Sequence, residues 1–340
     1  MDIKEVRDRA RKNLKGFCSV CKVCNGIACA GEVPGMGGSG TGSTFKANVE
    51  DLARVTLNLR CLHNSKNPDT SFKFFTEKLS MPIISAPITG TKFNMGGYLS
   101  EKEYIDAVVG GSIRAGSLAM IGDSALPSLY TTGLDSLKEV NSKGIAIVKP
   151  RENQKVMENI KLAEEINLPA IGMDIDGAGL ITMALSGAPV GPKNIHELKE
   201  IIGSSNLPFI LKGIMTIDEA IIAMECGASA IVISNHGGRV LDHCQSTAKV
   251  VSEISQAVKG RMTILVDGGI RSGVDVFKML ALGADGVLIG RPLVTGAFGA
   301  REEGVSLILE TMKKELYQTM ILTGAKDLAS INKTMINVPW

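Results

Sequence analysis

The sequence predicts an α/β fold: a (β/α)8 TIM barrel with an N-terminal Cys- and Gly-rich extension. Three observations carry this. From residue 81 onward, eight short apolar runs alternate with longer amphipathic segments, the pattern of parallel strands joined by crossover helices. The eight units fit between residues 81 and 292, which suits a closed barrel better than a doubly wound open sheet. The charged and polar residues that interrupt the runs fall at their C-terminal ends, the pole where such barrels keep their active sites.

Taken in order, the strands are expected in MPIISAPI (81–88), GSIRAGSL (111–118), GIAIVKP (144–150), PAIGMDID (169–176), PFILKGI (208–214), AIVISNH (230–236), MTILVDGG (262–269) and GVLIGRP (286–292). Between them lie helical patterns such as SEKEYIDAVVGG, ENQKVMENIKLAEEIN, TIDEAIIAMECG and SGVDVFKMLALG, with apolar residues recurring at three- and four-residue steps. Residues 300–325 read as a closing helix. The chain divides into a Cys- and Gly-rich segment, 1–80, packing on a barrel domain, 81–340.

Composition narrows the function. Of 340 residues, 44% are hydrophobic, and 37 basic residues balance 35 acidic ones to a net charge of +2. That balance carries no nucleic-acid footprint. No apolar run approaches the roughly 20 residues of a membrane span. The opening MDIKEVRDRARKNLK is charged throughout, without the apolar region of an export signal, so a cytoplasmic location is expected.

Seven of the expected strand ends carry chemistry-bearing residues. The first offers Ala86, Pro87 and Ile88, and the second ends at Ser117. Asp174 and Asp176 end the fourth, Lys212 the fifth, and Ser234, Asn235 and His236 the sixth. The seventh ends in Asp267, Gly268 and Gly269, followed by Arg271; the eighth ends in Gly290 and Arg291. Loops seven and eight of such barrels commonly hold phosphate. Glycines there let backbone N–H groups approach phosphate oxygens, and arginines add forked donors. In ISNHGGRVLD (233–242), His236 is placed to act as a base at the barrel mouth, with Arg239 on the same loop to hold a carboxylate.

SNHGGR, LKG, DGGIRSGVDVFKMLALGA and IGRP, in this order and spacing, resemble the FMN-dependent α-hydroxy-acid oxidases and dehydrogenases, from about residue 81 to 335. The resemblance implies an FMN enzyme that oxidises an L-2-hydroxy acid to the 2-oxo acid. His236 would remove a proton, Asp176 would pair with the resulting imidazolium, Arg239 would bind the carboxylate, and Lys212 would stabilise negative charge on the reduced flavin. Ala86, Pro87, Ile88, Ser117, Asp174, Lys212 and Ser234 match flavin-contacting positions. Asp267, Gly268, Gly269, Arg271, Gly290 and Arg291 match those that hold ribityl and phosphate. A homo-oligomer, tetramer or octamer, is implied as well. The alternative is an FMN-dependent isomerase of the isopentenyl-diphosphate type, sharing the barrel without net redox change. The electron acceptor stays open between oxygen, a quinone and another protein.

The sequence departs from that family in its substrate cage. Val148 stands where the family has a tyrosine, GEVPGMGGSGTGSTF (31–45) lacks a second tyrosine, and DGAGLITMALSGAPVG (176–191) lacks a second arginine. Val148, Ile181 and Met183 are expected to make a more apolar pocket. Cys18, Cys21, Cys24 and Cys29 form C-x2-C-x2-C-x4-C, one residue longer than a ferredoxin-type iron–sulfur run. An iron–sulfur cluster or tetrahedral zinc is expected there ahead of free thiols, and disulfides are disfavoured by the reducing compartment and by the tight Cys-x2-Cys spacing.

Overall fold

A computed structural model describes residues 1–340. Eight parallel strands form the barrel: β1 (Ile83–Ser85), β2 (Met120–Gly122), β3 (Ile145–Val148), β4 (Ala170–Asp174), β5 (Phe209–Ile214), β6 (Ala230–Ile233), β7 (Thr263–Val266) and β8 (Gly286–Ile289). Each of β2 to β8 pairs with the next, and β8 returns to β1. Between β1 and β2 the closure is slight: one bridge, Ser85 to Ala119, with Ser85 N donating to Leu118 O at 3.0 Å.

The strands are largely apolar because both faces are buried. Ile84, Leu118, Met120, Ile145, Ile147, Ile210, Val232, Leu265 and Leu288 make an inner core, and Phe72, Phe74 and Leu79 of an antiparallel hairpin join it. Phe72 meets Gly286 at the start of β8, so the hairpin plugs the N-terminal end of the barrel. Each plugging phenylalanine contributes about 1.5–3 kcal/mol by leaving water. The opposite end is left for the polar strand ends.

Strand two departs from expectation. Residues 111–114 belong to the helix Glu101–Arg114, and the strand is Met120–Gly122. A capping box of Ser100 and Glu103 starts that helix. Its glycines serve close helix packing: a Cβ on Gly111 would stand 2.6 Å from Val305 Cβ. The final helix likewise starts earlier, spanning Arg291–Thr323, with non-helical backbone at Ala300 and Arg301.

Residues 1–80 wrap the barrel. The helix Ile3–Asn13, capped by Asp2 and Glu5, buries Val6 and Ala10, and Val6 lies directly on Gly299. A second helix, Ser43–Arg54, buries Phe45, Asn48 and Leu52. Asp242, on the loop after β6, accepts from Ser43 N at 2.9 Å and caps that helix from the barrel side. Thr56–Leu57 pairs with Ile336–Asn337 near the C-terminus. No helix is long and apolar enough to cross a membrane.

Candidate active site

Parallel register sets Asp174 of β4 directly beside Lys212 of β5, and the site is built around that pair. Asp174 Oδ1 accepts from Lys212 Nζ at 3.0 Å, and Oδ2 accepts from Lys149 Nζ, the residue after β3. All three side chains are nearly buried. Burial would raise the Asp174 carboxyl, but Lys149 and Lys212 outweigh it and hold the group well below the usual carboxylate range. Burial would likewise lower Lys212, yet Asp174, Asp176 and Asp267 hold its ammonium above the ordinary lysine range. Asp174 is therefore a fixed anion between two cations.

His236 lies on the next strand end. Its backbone is left-handed at φ +56°, and its N–H donates to Ser234 Oγ at 3.1 Å. Nδ1 faces Asp176 Oδ1 at 3.2 Å and Asp174 Oδ1 at 3.6 Å, while Nε2 has no protein partner. Burial pushes the imidazole well below its ordinary value despite the attraction of Asp174, so the resting ring is neutral and able to take a proton. Burial, reinforced by Asp174, pushes Asp176 well above the carboxylate range.

Arg239, three residues on, faces the same cavity. Nη1 donates to Gly35 O and Gly37 O, and Nη2 donates to Asn94 Oδ1 at 3.0 Å. Nε–H and one Nη2–H donate to no protein atom, leaving the edge on which a carboxylate binds side-on. Burial lowers this guanidinium only to about 10, so it stays cationic at neutral pH.

Together these groups line a cavity of about 270 Å³ at the C-terminal mouth of the barrel. Ala86, Pro87 and Ile88 form one wall, Gly268, Gly269, Arg271, Gly290 and Arg291 the far end, and Met36, Phe93, Leu180, Met183 and Leu185 an apolar side. The far end fits a phosphate. The N–H groups of Gly268, Gly269, Gly290 and Arg291 donate to no protein acceptor, and Arg271 Nη2 is buried without a partner. Asp267 Oδ1 is also buried and unpaired, an acceptor suited to hydroxyl groups. This donor and acceptor set suits FMN: the glycine N–H groups and Arg271 would hold its phosphate, Asp267 its ribityl hydroxyls and Lys212 the edge of its ring. Gly269 is required there, since its φ is +78° and a Cβ would strike Asn48 O. Replacing Arg271 with alanine is expected to weaken FMN binding to the flavin-free protein about 10- to 100-fold, the weight of one charged hydrogen bond, in a fluorescence titration.

Several sequence expectations shift in detail. Ser117 lies before β2, not at its end, and its hydroxyl donates to Ile83 O beneath the seam. It does not line the cavity; Asp123, Ser124 and Ala125 hold that strand end. Val148 is fully buried in the core behind β3, and Lys149 takes the inward position. Met183 lines the apolar side while Ile181 does not. Asp174, Asp176 and Ser234 do not line the cavity; they contact its lining residues, Asp174 through Lys212 and Asp176 and Ser234 through His236. Arg291 is largely engaged: it donates to Met36 O, Gly237 O and Gly37 O at 2.8–3.1 Å and lies 3.8 Å over the Phe45 ring. Lys149, Asn94 and the 35–37 carbonyls escaped the sequence reading. Only Lys149 left a signal there, as a lysine at a strand end.

All seven cysteines are unbridged. Cys18, Cys21, Cys24 and Cys29 line a second cavity of about 350 Å³, which shares Met36, Arg271 and Arg291 with the first. No three of their sulfurs lie within 4.8 Å of one another. Burial pushes the Cys29 thiol up to about 11.

Residues 35–184 and 185–338 match the sequence family described as FMN-dependent dehydrogenase. The chain is 30% identical to glycolate oxidase 1 of Oryza sativa subsp. indica, over 86% of this chain and 87% of that one. It is 30% identical to L-lactate dehydrogenase of Acinetobacter baylyi, over 88% and 91%. Among solved structures, mandelate oxidase with (S)-2-phenylpropionate superposes with a TM-score of 0.77 at 26% identity, covering 98% of this chain and 97% of that one. A mandelate oxidase variant with a monooxide FMN adduct gives 0.73 at 28% identity, covering 91% and 98%. These relatives carry oxidase or dehydrogenase names and lend the isomerase alternative no support.

Proposed function

Because the chain belongs to the FMN-dependent dehydrogenase family, we propose that it oxidises L-2-hydroxy acids with an apolar side chain to the corresponding 2-oxo acids. The observation that carries this reading is the pairing, on one loop, of a neutral His236 whose Nε2 is unpartnered with an Arg239 whose donor edge is open. A carboxylate on Arg239 brings the carbinol carbon of the same molecule toward the imidazole. FMN, when bound, supplies the two-electron redox chemistry.

The chain's own residues do the rest. His236 Nε2 takes a proton from the substrate, and the imidazolium so formed faces the fixed charge of Asp174 at 3.6 Å, with Asp176 Oδ1 3.2 Å from Nδ1. Lys212, with Lys149 behind Asp174, places positive charge at the cavity floor, where reduction of a flavin would add negative charge. The apolar side, Met36, Phe93, Leu180, Met183 and Leu185, takes the substrate's side chain and keeps water from it. The unbridged cysteines suit a reducing, cytoplasmic compartment; the homo-oligomer, tetramer or octamer, rests on the family resemblance. In this reading residues 1–80 complete the barrel of 81–340, since the 35–37 carbonyls hold Arg239.

The decisive test is anaerobic addition of 2-hydroxy acids to the FMN-loaded enzyme. The flavin should bleach with the L enantiomers, and 2-hydroxy-4-methylpentanoate should act at lower concentration than glycolate. A flavin that no 2-hydroxy acid bleaches overturns the reading. A pH dependence follows from the lowered histidine. A base whose pKa is depressed keeps its proton-free form as pH falls, so the bleaching rate should hold constant from about pH 7.5 through histidine's ordinary value of about 6.5. A rate that halves at 6.5 or above contradicts a neutral His236 as base.

A further inference from the structure

We infer that Cys18, Cys21, Cys24 and Cys29 hold a four-iron, four-sulfide cluster on the far side of the wall that bounds the flavin cavity. All four line one cavity of about 350 Å³. They lie close enough to interact electrostatically, Cys18 with Cys21 and Cys24, Cys29 with Cys18 and Cys24. Yet no three sulfurs come within 4.8 Å of one another. The lack of a close trio weighs against a small tetrahedral ion, and four thiols around one cavity of this size suit a larger occupant. Tetrahedral zinc, with Zn–S near 2.3 Å, needs its sulfurs about 3.8 Å apart. A four-iron cube puts each thiolate on a different corner, so its ligands stand wider, on the order of 6 Å apart.

The surroundings carry the matching charge. A cube with four thiolates is a dianion, and the charged groups lining this cavity are Arg7, Lys22, Arg271, Arg291 and Glu315. Four are cations, and the lone carboxylate is engaged elsewhere, accepting from Gly273 N at 2.7 Å. The loop is anchored through its carbonyls: Arg7 donates to Cys21 O, Arg11 to Val20 O at 3.1 Å, and Arg271 Nε to Cys24 O at 3.2 Å. With the backbone fixed in this way, the thiols are left unbridged.

Met36, Arg271 and Arg291 belong to both cavities, so one layer of side chains separates the cluster from the cavity that would hold the flavin. Its electron role rests on the FMN reading above. Each substrate oxidised would deliver two electrons to bound FMN; these would pass one at a time to the cluster, while the proton held by His236 and the one taken up with the flavin's electrons pass to solvent. The cluster would then give up each electron to a one-electron acceptor.

The test is metal and sulfide analysis of full-length, FMN-loaded enzyme, purified without oxygen and incubated with ferrous iron and sulfide. We expect about four irons and four sulfides per chain, and a low-temperature paramagnetic signal after dithionite. Cys24→Ala should lose the iron and keep FMN. One zinc with no sulfide, or four freely titrating thiols without metal, overturns the site, and the wild-type analysis decides this even if the variant fails to fold. Excess L-2-hydroxy acid, added anaerobically, should evoke the same signal. A bleached flavin without the signal overturns the electron role. An unbleached flavin with the dithionite signal intact faults the substrate reading and leaves the cluster standing.

Discussion

Replacing His236 with alanine leaves a protein that still binds FMN but whose flavin its substrate no longer bleaches. The imidazole reaches the cavity from the loop after β6, while the phosphate end is built from β7 and β8 and the opposite wall from β1. Cofactor affinity should therefore be nearly unchanged. The reductive step loses its base, a loss of about 10²- to 10⁴-fold for one positioned proton acceptor. The measurement is stopped-flow absorbance of the flavin under anaerobic conditions. A variant within threefold of the parent would remove His236 from the chemistry. Asp176→Asn should do less, because the imidazolium keeps Asp174 at 3.6 Å. The two variants together separate the base from its partner.

Removing the Asp174 carboxylate should produce the largest loss of stability of any single change at the site. Its two oxygens are shared between Lys149 and Lys212, and both lysine side chains are nearly buried. In Asp174→Ala those two ammonium groups face each other without the anion between them. Removing one partner of a buried ion pair costs about 3–5 kcal/mol, which a urea-unfolding series on the flavin-free protein would register. The cause can be isolated. Removing one cation as well, in Asp174→Ala/Lys149→Met, should recover part of the loss, because neighbouring sites in one network are not additive. If the double variant is no more stable than the single one, the loss reflects packing and the electrostatic account fails.

Most of the barrel and half of the site were legible in the sequence, and the division has physical causes. Seven strands read correctly because runs buried on both faces are continuous and apolar. The eighth, strand two, did not, because GSIRAG looks like a strand end. In the fold its glycines let the helix Glu101–Arg114 press against Val305, a requirement that only the partner helix reveals. His236 and Arg239 were visible because they are close in sequence on one loop. Val148 is expected from the sequence to line the pocket, but it is buried in the core and Lys149 lines the cavity; in a strand a one-residue offset exchanges the inward for the outward face. The partners of Arg239 and Arg291 could not be read at all. Most are carbonyls of residues 35–37, contributed more than 200 positions away, and a carbonyl leaves no mark on side-chain identity.

The slight closure between β1 and β2 has a dynamic consequence. Elsewhere the barrel is laced by ladders of two or more paired residues, but here a single bridge at Ser85 joins the two staves. Local opening begins where the fewest backbone bonds must break, so in native-state hydrogen exchange the Ser85 amide should lose its proton well before those of β4 to β6. Ala86 to Thr89 on one side of this seam and Asp123 to Ala125 on the other both line the cavity. When the barrel breathes, the flank of the active site between those two loops yields first, while the half that holds His236, Arg239 and the glycine end keeps its shape.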